Sequence, residues 1–363
     1  MKCAGPPRSR YLVTKKAPNR EQFLTRLNHR NPNTLASLST QIRTPSRYWV
    51  TKMTRDFLFS DGILHGLAPS PLRLDNRPVR CDLVPVTTDK FEQLRRLLQD
   101  YGSCLVAYSG GVDSVFLARV AHDVLGARSL AVIADSPSLP RRELQEALDL
   151  AETFHFPVRV VKTAEFDNPS YLANPANRCY FCKHELFEHL TPIARAEKFA
   201  VIAYGENASD LGDFRPGAQA AAEFQVRAPL KEAGLTKADI REWSARLGLP
   251  TADKPQMACL SSRIPYGEPV SPEKLAMIEA AENVLRDAGF YEVRVRHHET
   301  AGSKSALARI EIALSEMPKL LADGTLARVS GAIQKIGYQH VTLDLLGYRR
   351  GSVNEVLPSV RKP

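Results

Sequence analysis

The chain has 363 residues, enough for two domains with cores of their own, and its 44% hydrophobic content is that of an ordinary soluble protein. No apolar run approaches the ~20 residues that cross a bilayer, so a helical membrane span is excluded. The formal charge of +9 is concentrated at one end: residues 1–81 hold 15 Lys/Arg against 4 Asp/Glu, which leaves −2 for the other 282, and a generally basic, nucleic-acid-coating surface is excluded with it.

Residues 1–85 are rich in Arg, Asn, Pro and Ser and lack hydrophobic periodicity. They read as a basic N-terminal extension, expected to be disordered. A transit-like segment and sequence upstream of a later start at Met53 are the other readings, the last preferred over the transit peptide. No secretory apolar core is present, and the cytoplasm is the expected compartment. A helix is predicted over 88–101 and a buried strand over 105–108. A helix after the turn at 109–114 carries Val115, Phe116, Leu117 and Val120. Strands over 130–134, 158–161 and 199–204 alternate with helices over 140–154 and 183–198. Such alternation predicts an α/β fold with a doubly wound parallel sheet, here over residues 86–250. A Pro-rich linker over 250–272 leads to a helix at 272–288 and strands at 292–297 and 308–313. A helix at 317–336 and a strand at 341–345 follow. Together they predict a smaller C-terminal α+β domain over 251–355.

The turn reads Ser109-Gly110-Gly111-Val112-Asp113-Ser114. Placed between a strand and a helix, it points backbone N–H groups at one spot, and the helix N-terminus adds partial positive charge. It lacks the Gly-Lys-Ser/Thr ending of a Walker loop and resembles the pyrophosphatase loop of enzymes that split ATP into AMP and pyrophosphate. Ser109 and Ser114 can donate hydroxyls to the phosphates. Asp113 can hold Mg²⁺ against them, although a helix-capping carboxylate is the plainer role. Ligands of such sheets sit beyond the strand carboxyl ends. Asp135 and Ser136 fall there, and so do Glu206 and Asp210 with a weaker claim, as have Arg215 and Arg227 in nearby loops.

Six cysteines occur: Cys3, Cys81, Cys104, Cys179, Cys182 and Cys259. Cys104 borders the first strand and reads as a small core residue. The Cys179-Tyr-Phe-Cys182 pair suits a redox couple, half a zinc site or two ligands of an iron–sulfur cluster. Cys259 lies in a polar, Pro-rich loop between Lys254 and Arg263, cations that favour a thiolate. A lone cysteine is more often a core residue than a nucleophile, and the polar loop argues for the functional role. Arg294 and Arg296 alternate on one strand and so share a sheet face, where their guanidinium forks suit phosphate or carboxylate; a solvated strand face is the plainer reading.

Taken together, the loop, Asn177-Arg-Cys-Tyr-Phe-Cys-Lys183, Ala258-Cys-Leu-Ser-Ser-Arg-Ile-Pro-Tyr-Gly267 and Val293-Arg-Val-Arg-His-His298 resemble the LarE family over residues 88–355. LarE proteins are ATP-dependent sulfur transferases of the PP-loop ATP pyrophosphatase (adenine nucleotide alpha hydrolase-like) superfamily. They serve the biosynthesis of the nickel-pincer nucleotide of lactate racemase. The resemblance implies ATP and Mg²⁺ at the loop and adenylation of a carboxylate on pyridinium-3,5-biscarboxylic acid mononucleotide. A sulfur nucleophile then displaces AMP to leave a thiocarboxylate. It further implies Cys259 as the sulfur-bearing position, with Cys179, Cys182 and Cys259 holding a 4Fe-4S cluster. In another branch Cys259 would give up its own sulfur. Arg263, Arg294 and Arg296 are the implied substrate residues, Glu282 a weaker one, and a homo-oligomer is expected. The rivals are a tRNA thiolase, which the near-neutral body disfavours, and an amidating ligase, which would not need Cys259. A metal-binding module without ATP turnover is a third, and the intact loop speaks against it.

Overall fold

The computed structural model describes residues 86–210, 216–256, 258–299, 305–349 and 351–353. The proposed extension, with Cys3 and Cys81, lies outside them, as does Arg215. The described residues belong to one compact unit that carries two sheets.

The chain enters through α1 (Val86–Tyr101) into β1 (Cys104–Ala107), turns into α2 (Val112–Leu125), and continues through β2 (Ser129–Asp135), α3 (Arg141–Thr153) and β3 (Val158–Lys162). A single turn, α4 (Pro169–Leu172), precedes α5 (Arg178–Ala196) and β4 (Val201–Tyr204). The four strands are parallel in the order β3-β2-β1-β4. β1 is thus central, and the order reverses between β1 and β4. That reversal opens a crevice at the strand carboxyl ends, where ligands of doubly wound sheets bind. Alternate residues supply the two faces. Cys104 and Val106 of β1 join a core with α1, α2 and α3, whereas Leu105 joins Phe187 and Leu190 of α5 on the other side. Both faces are covered, as an all-parallel sheet requires.

Three helices follow β4 that the periodicity does not single out: α6 (Pro216–Glu223), α7 (Pro229–Glu232) and α8 (Lys237–Arg246). α8 is defined by a capping box in which Thr236 and Asp239 each satisfy the other's backbone N–H. α9 (Pro272–Asp287) begins at Ser271, whose side chain accepts from the Lys274 N–H.

The second sheet is mixed, in the order β5-β6-β7. β5 (Val293–Glu299) pairs antiparallel with β6 (Ala306–Ile312), which pairs parallel with β7 (His340–Leu343). One face packs on α9, α10 (Met317–Leu321) and α11 (Thr325–Ile336) around Val293, Val295, Ile310 and Ile333. The single helix expected over 317–336 is therefore two. Asp323 and Gly324 adopt φ of +50° and +68°, a left-handed pair that no helix continues through. α5 differs in the opposite sense: it begins at Arg178, not at residue 183, and so takes Cys179 and Cys182 into its first turns.

Candidate functional site

The 109–114 turn lies where β1 ends and α2 begins, at the reversal of strand order. Gly110 takes φ +70°, and a Cβ there would lie 2.8 Å from the Ala147 Cβ of α3. The glycine therefore serves both the turn and the close approach of α3. Ser114 Oγ accepts from the Ser109 N–H at 3.1 Å, lies 3.0 Å from Ser109 Oγ and donates to the Gly111 carbonyl at 3.1 Å. Both hydroxyls face inward across the turn. Gly205, just beyond β4, approaches so closely that a Cβ would stand 3.0 Å from the Ser114 nitrogen. Asp113 accepts from Lys237 Nζ at 2.6 Å and from Asn207 Nδ2 at 3.3 Å. Lys237, at the start of α8, thus supplies a cation at the loop that the sequence reading missed. Its only signal was the capping box beside it.

Asp135 ends β2 and pairs with Arg141, whose other nitrogen donates to the Ser136 and Leu139 carbonyls at 2.6 and 2.7 Å. The buried Ser136 Oγ accepts from the Ser138 N–H at 3.2 Å. Glu206 is buried against Tyr204 OH and Lys231 Nζ (3.1 Å); burial opposes its charge, but these two partners hold its carboxyl below the ordinary range. Asp210 Oδ2 accepts from the Asn207 N–H at 3.2 Å. Arg227 turns away to Glu232, 3.0 Å from Nε, and to the Tyr101 ring.

The cysteine loop reaches the same sheet edge. The Leu260 N–H donates to the Ser138 carbonyl at 2.8 Å. The hydroxyls of Ser138, Tyr171 and Ser261 form a buried triangle with sides of 2.5, 2.8 and 3.0 Å. Asn174, at φ +53° and fully buried, donates to the carbonyls of Pro265 (2.7 Å) and Glu268 (3.0 Å) and so clamps the rest of the loop. Cys179 and Cys182 lie one turn apart on α5, the charge of Cys259 acts on both, and all three are free thiols. Burial pushes the Cys182 thiol well above its ordinary range, and Glu165, Cys259 and Cys179 add to the rise. The Cys179 thiol is raised as well, by desolvation and then by Cys259, although the residue as a whole is exposed. Among the described residues no group of three or more His, Cys, Asp or Glu is arranged around a single metal ion. The donors brought into one another's field are three sulfurs, which in kind suit an iron–sulfur cluster.

Three arginines expected to meet substrate have different surroundings. Arg263 is fully buried. It bonds both Glu282 oxygens at 2.8 and 3.1 Å, the Cys259 carbonyl at 2.9 Å and the Ala258 carbonyl. Glu282 is buried too, yet Arg263 above all, with Arg286 and Arg294, brings its carboxyl down to about 2. Arg263 therefore braces the cysteine loop from inside and presents no donor to solvent. Arg296 is likewise turned inward, held by both Glu311 oxygens (3.0 and 2.7 Å) and by the Ser262 carbonyl (2.8 Å). Of the pair on β5 expected to meet substrate, both are buried and only Arg294 borders a cleft. Arg294 donates to the Val293 and Gln256 carbonyls, lies 5.2 Å from the Tyr348 ring centre and lines a cleft of about 580 Å³. Arg142, Lys254 and Arg286 line that cleft as well, and Lys254 pairs there with Glu146 at 3.0 Å. A cavity of about 780 Å³ at the opposite, amino-terminal end of the sheet, around His122, Ser129 and Val158, is remote from the loop.

No family model matches the chain. An uncharacterised protein of Synechocystis is 45% identical over 268 residues, which cover 74% of this chain and 98% of that one. Pyridinium-3,5-bisthiocarboxylic acid mononucleotide synthase of Lactiplantibacillus plantarum is 34% identical over 261 residues, 72% of this chain and 92% of that one. A component of the glutamine-hydrolysing GMP synthase of Methanopyrus kandleri is 24% identical over 220 residues, 55% of this chain and 67% of that one.

Proposed function

The chain belongs to the LarE family, and from that premise we propose that it is an ATP-dependent sulfur transferase acting on pyridinium-3,5-biscarboxylic acid mononucleotide. ATP is held by Ser109, Gly110, Gly111, Asp113 and Ser114, with Asp135 and Ser136 beside them. Lys237 stands ready to meet phosphate. Asp113 would hold Mg²⁺, which neutralises phosphate charge. A substrate carboxylate attacks the α-phosphorus of ATP, pyrophosphate leaves, and the acyl adenylate forms. Sulfur from the three-cysteine locus then adds to the acyl carbon and AMP departs, leaving a thiocarboxylate. Residues 86–250 carry the adenylation and residues 251–355 the cysteine loop and the substrate contacts. Arg294 and Tyr348 in the cleft are the substrate contacts this reading favours, while Arg263 and Arg296 position the loop. Cys179, Cys182 and Cys259 would hold a 4Fe-4S cluster with one iron left open, and the chemistry it supplies when bound is a transferable sulfide. The active form is a homo-oligomer on the same reading, which native mass measures.

One observation carries this reading: the Leu260–Ser138 hydrogen bond and the hydroxyl triangle bring the sulfur locus to the sheet edge that bears the nucleotide loop. The test is incubation of anaerobically purified chain with ATP, Mg²⁺ and the dicarboxylate mononucleotide. AMP, pyrophosphate and an oxygen-to-sulfur mass change in the mononucleotide are expected in equal amounts. AMP and pyrophosphate with an unsulfurated product would sink the reading. About four irons per chain, lost in Cys179→Ala, support the cluster. An iron-free chain that transfers sulfur once and loses the Cys259 sulfur overturns it in favour of a sacrificial cysteine.

A further inference from the structure

A buried guanidinium is normally matched by a carboxylate, because an isolated charge is costly to take out of water. Arg263 has Glu282 and Arg296 has Glu311. Arg178 is as deeply buried, at 3% exposure, and among the described residues no carboxylate pairs with it. Its hydrogen bonds go to neutral oxygens, the Asn174 side-chain amide and the Ser261 carbonyl at 3.0 Å, and its face lies 6.0 Å from the Tyr266 ring centre.

Two of the thiols lie in its field, together with Tyr171 and Tyr266. Arg178 immediately precedes Cys179, sits one helical turn before Cys182, and bonds the carbonyl two residues beyond Cys259. Burial works against its charge, and Cys259 and Cys179 are foremost among the neighbours that favour it. Arg294, also buried without a carboxylate hydrogen-bonded to it, opens onto the cleft assigned to the anionic substrate. Both guanidinium groups thus keep their charge among neutral hydrogen-bond acceptors.

We propose that Arg178 is the resident counter-ion of the three-thiol locus, a positioning residue that makes the locus selective for anionic sulfur of the hydrosulfide class. This rests on reading the three thiols as the sulfur locus. Asn174 and Ser261 aim the guanidinium; Arg178 itself neither forms nor breaks a bond. Glu165, whose charge raises the Cys182 thiol, is the opposing charge at the locus.

The test is carried out on the full chain, reduced and free of iron. The alkylation rates of Cys179 and Cys259 by iodoacetate and by iodoacetamide are compared by peptide mass spectrometry. The ratio of the two rates at one sulfur cancels its thiolate fraction and reports the local field on an incoming anion. The wild type is expected to favour iodoacetate, relative to N-acetylcysteine, by about fivefold or more. Arg178→Gln should lose that preference and Arg178→Lys should keep most of it. A ratio equal in wild type and Arg178→Gln overturns the proposal. So does a wild-type ratio no higher than that of N-acetylcysteine, which decides the matter even if the glutamine variant does not fold. The assay needs neither ATP nor the mononucleotide. An Arg178-dependent ratio without sulfur transfer therefore counts against the proposed function alone, and sulfur transfer with no such ratio counts against Arg178 alone.

Discussion

At the scale of single residues, the site separates groups that act from groups that hold. On the proposed reading Cys259 is of the first kind, and Cys259→Ser is expected to abolish thiocarboxylate formation while leaving ATP–pyrophosphate exchange nearly unchanged. Loss of both activities would place Cys259 in the adenylation step instead. Gly110 belongs to the second. Its positive φ and the 2.8 Å approach to Ala147 mean that Gly110→Ala strains the turn by on the order of 1–3 kcal/mol. A lowered melting temperature together with a raised ATP requirement is the expected result. The strand–turn–helix around Ser109–Ser114 was legible because its pattern is local in sequence. Lys237 was not, since the contact that matters joins it to Asp113, 124 residues away. Arg263 and Arg296 misled for a related reason. A guanidinium's taste for anions is the same whether the anion is a substrate or a buried glutamate, and only folding brings Glu282 and Glu311 to them.

At the scale of elements, Glu282 is the fastener between three of them. From α9 it accepts from Arg263 of the cysteine loop, from its own helix neighbour Arg286 at 2.9 Å and from the Val295 N–H of β5 at 3.2 Å. Glu282→Gln leaves Arg263 buried without its counter-charge and should cost about 3–5 kcal/mol, read as a lower denaturation midpoint. An unchanged midpoint would show that the loop is braced elsewhere. β1 and β2 were readable as short continuous apolar runs, which a core on both faces enforces, and the long amphipathic helices from their period. The start of α5 was not, because aromatic and cysteine residues are indifferent helix formers and Asn177 offers no side-chain cap. That difference of five residues is what sets Cys179 and Cys182 one turn apart.

At the scale of the whole molecule, acid should loosen the second sheet before the first. His297 is buried beside Tyr338, and burial, with Lys274 adding to it, lowers its ring to about 4. A depressed imidazole contributes stability fully above its ordinary value of about 6.5 and loses it as pH falls toward the folded value. His298 shifts in the same direction, from burial and then Arg309 and Arg296. Glu282, lowered to about 2, gives way only at still lower pH. Melting temperature should therefore fall between about pH 6.5 and 4, less steeply in His297→Gln. An identical slope in that variant would assign the acid sensitivity to other groups. The placement of the thiols has a further consequence for the chain as a polymer. Two of them ride on one helix and the third hangs on a loop roughly 80 residues later in sequence, so anything that grips all three is a cross-link across that span. Closing a loop of this length removes unfolded-state entropy worth about 4.5 kcal/mol. A melting curve taken before and after the thiols are occupied would then count filled molecules directly, as a population that outlasts the rest on heating.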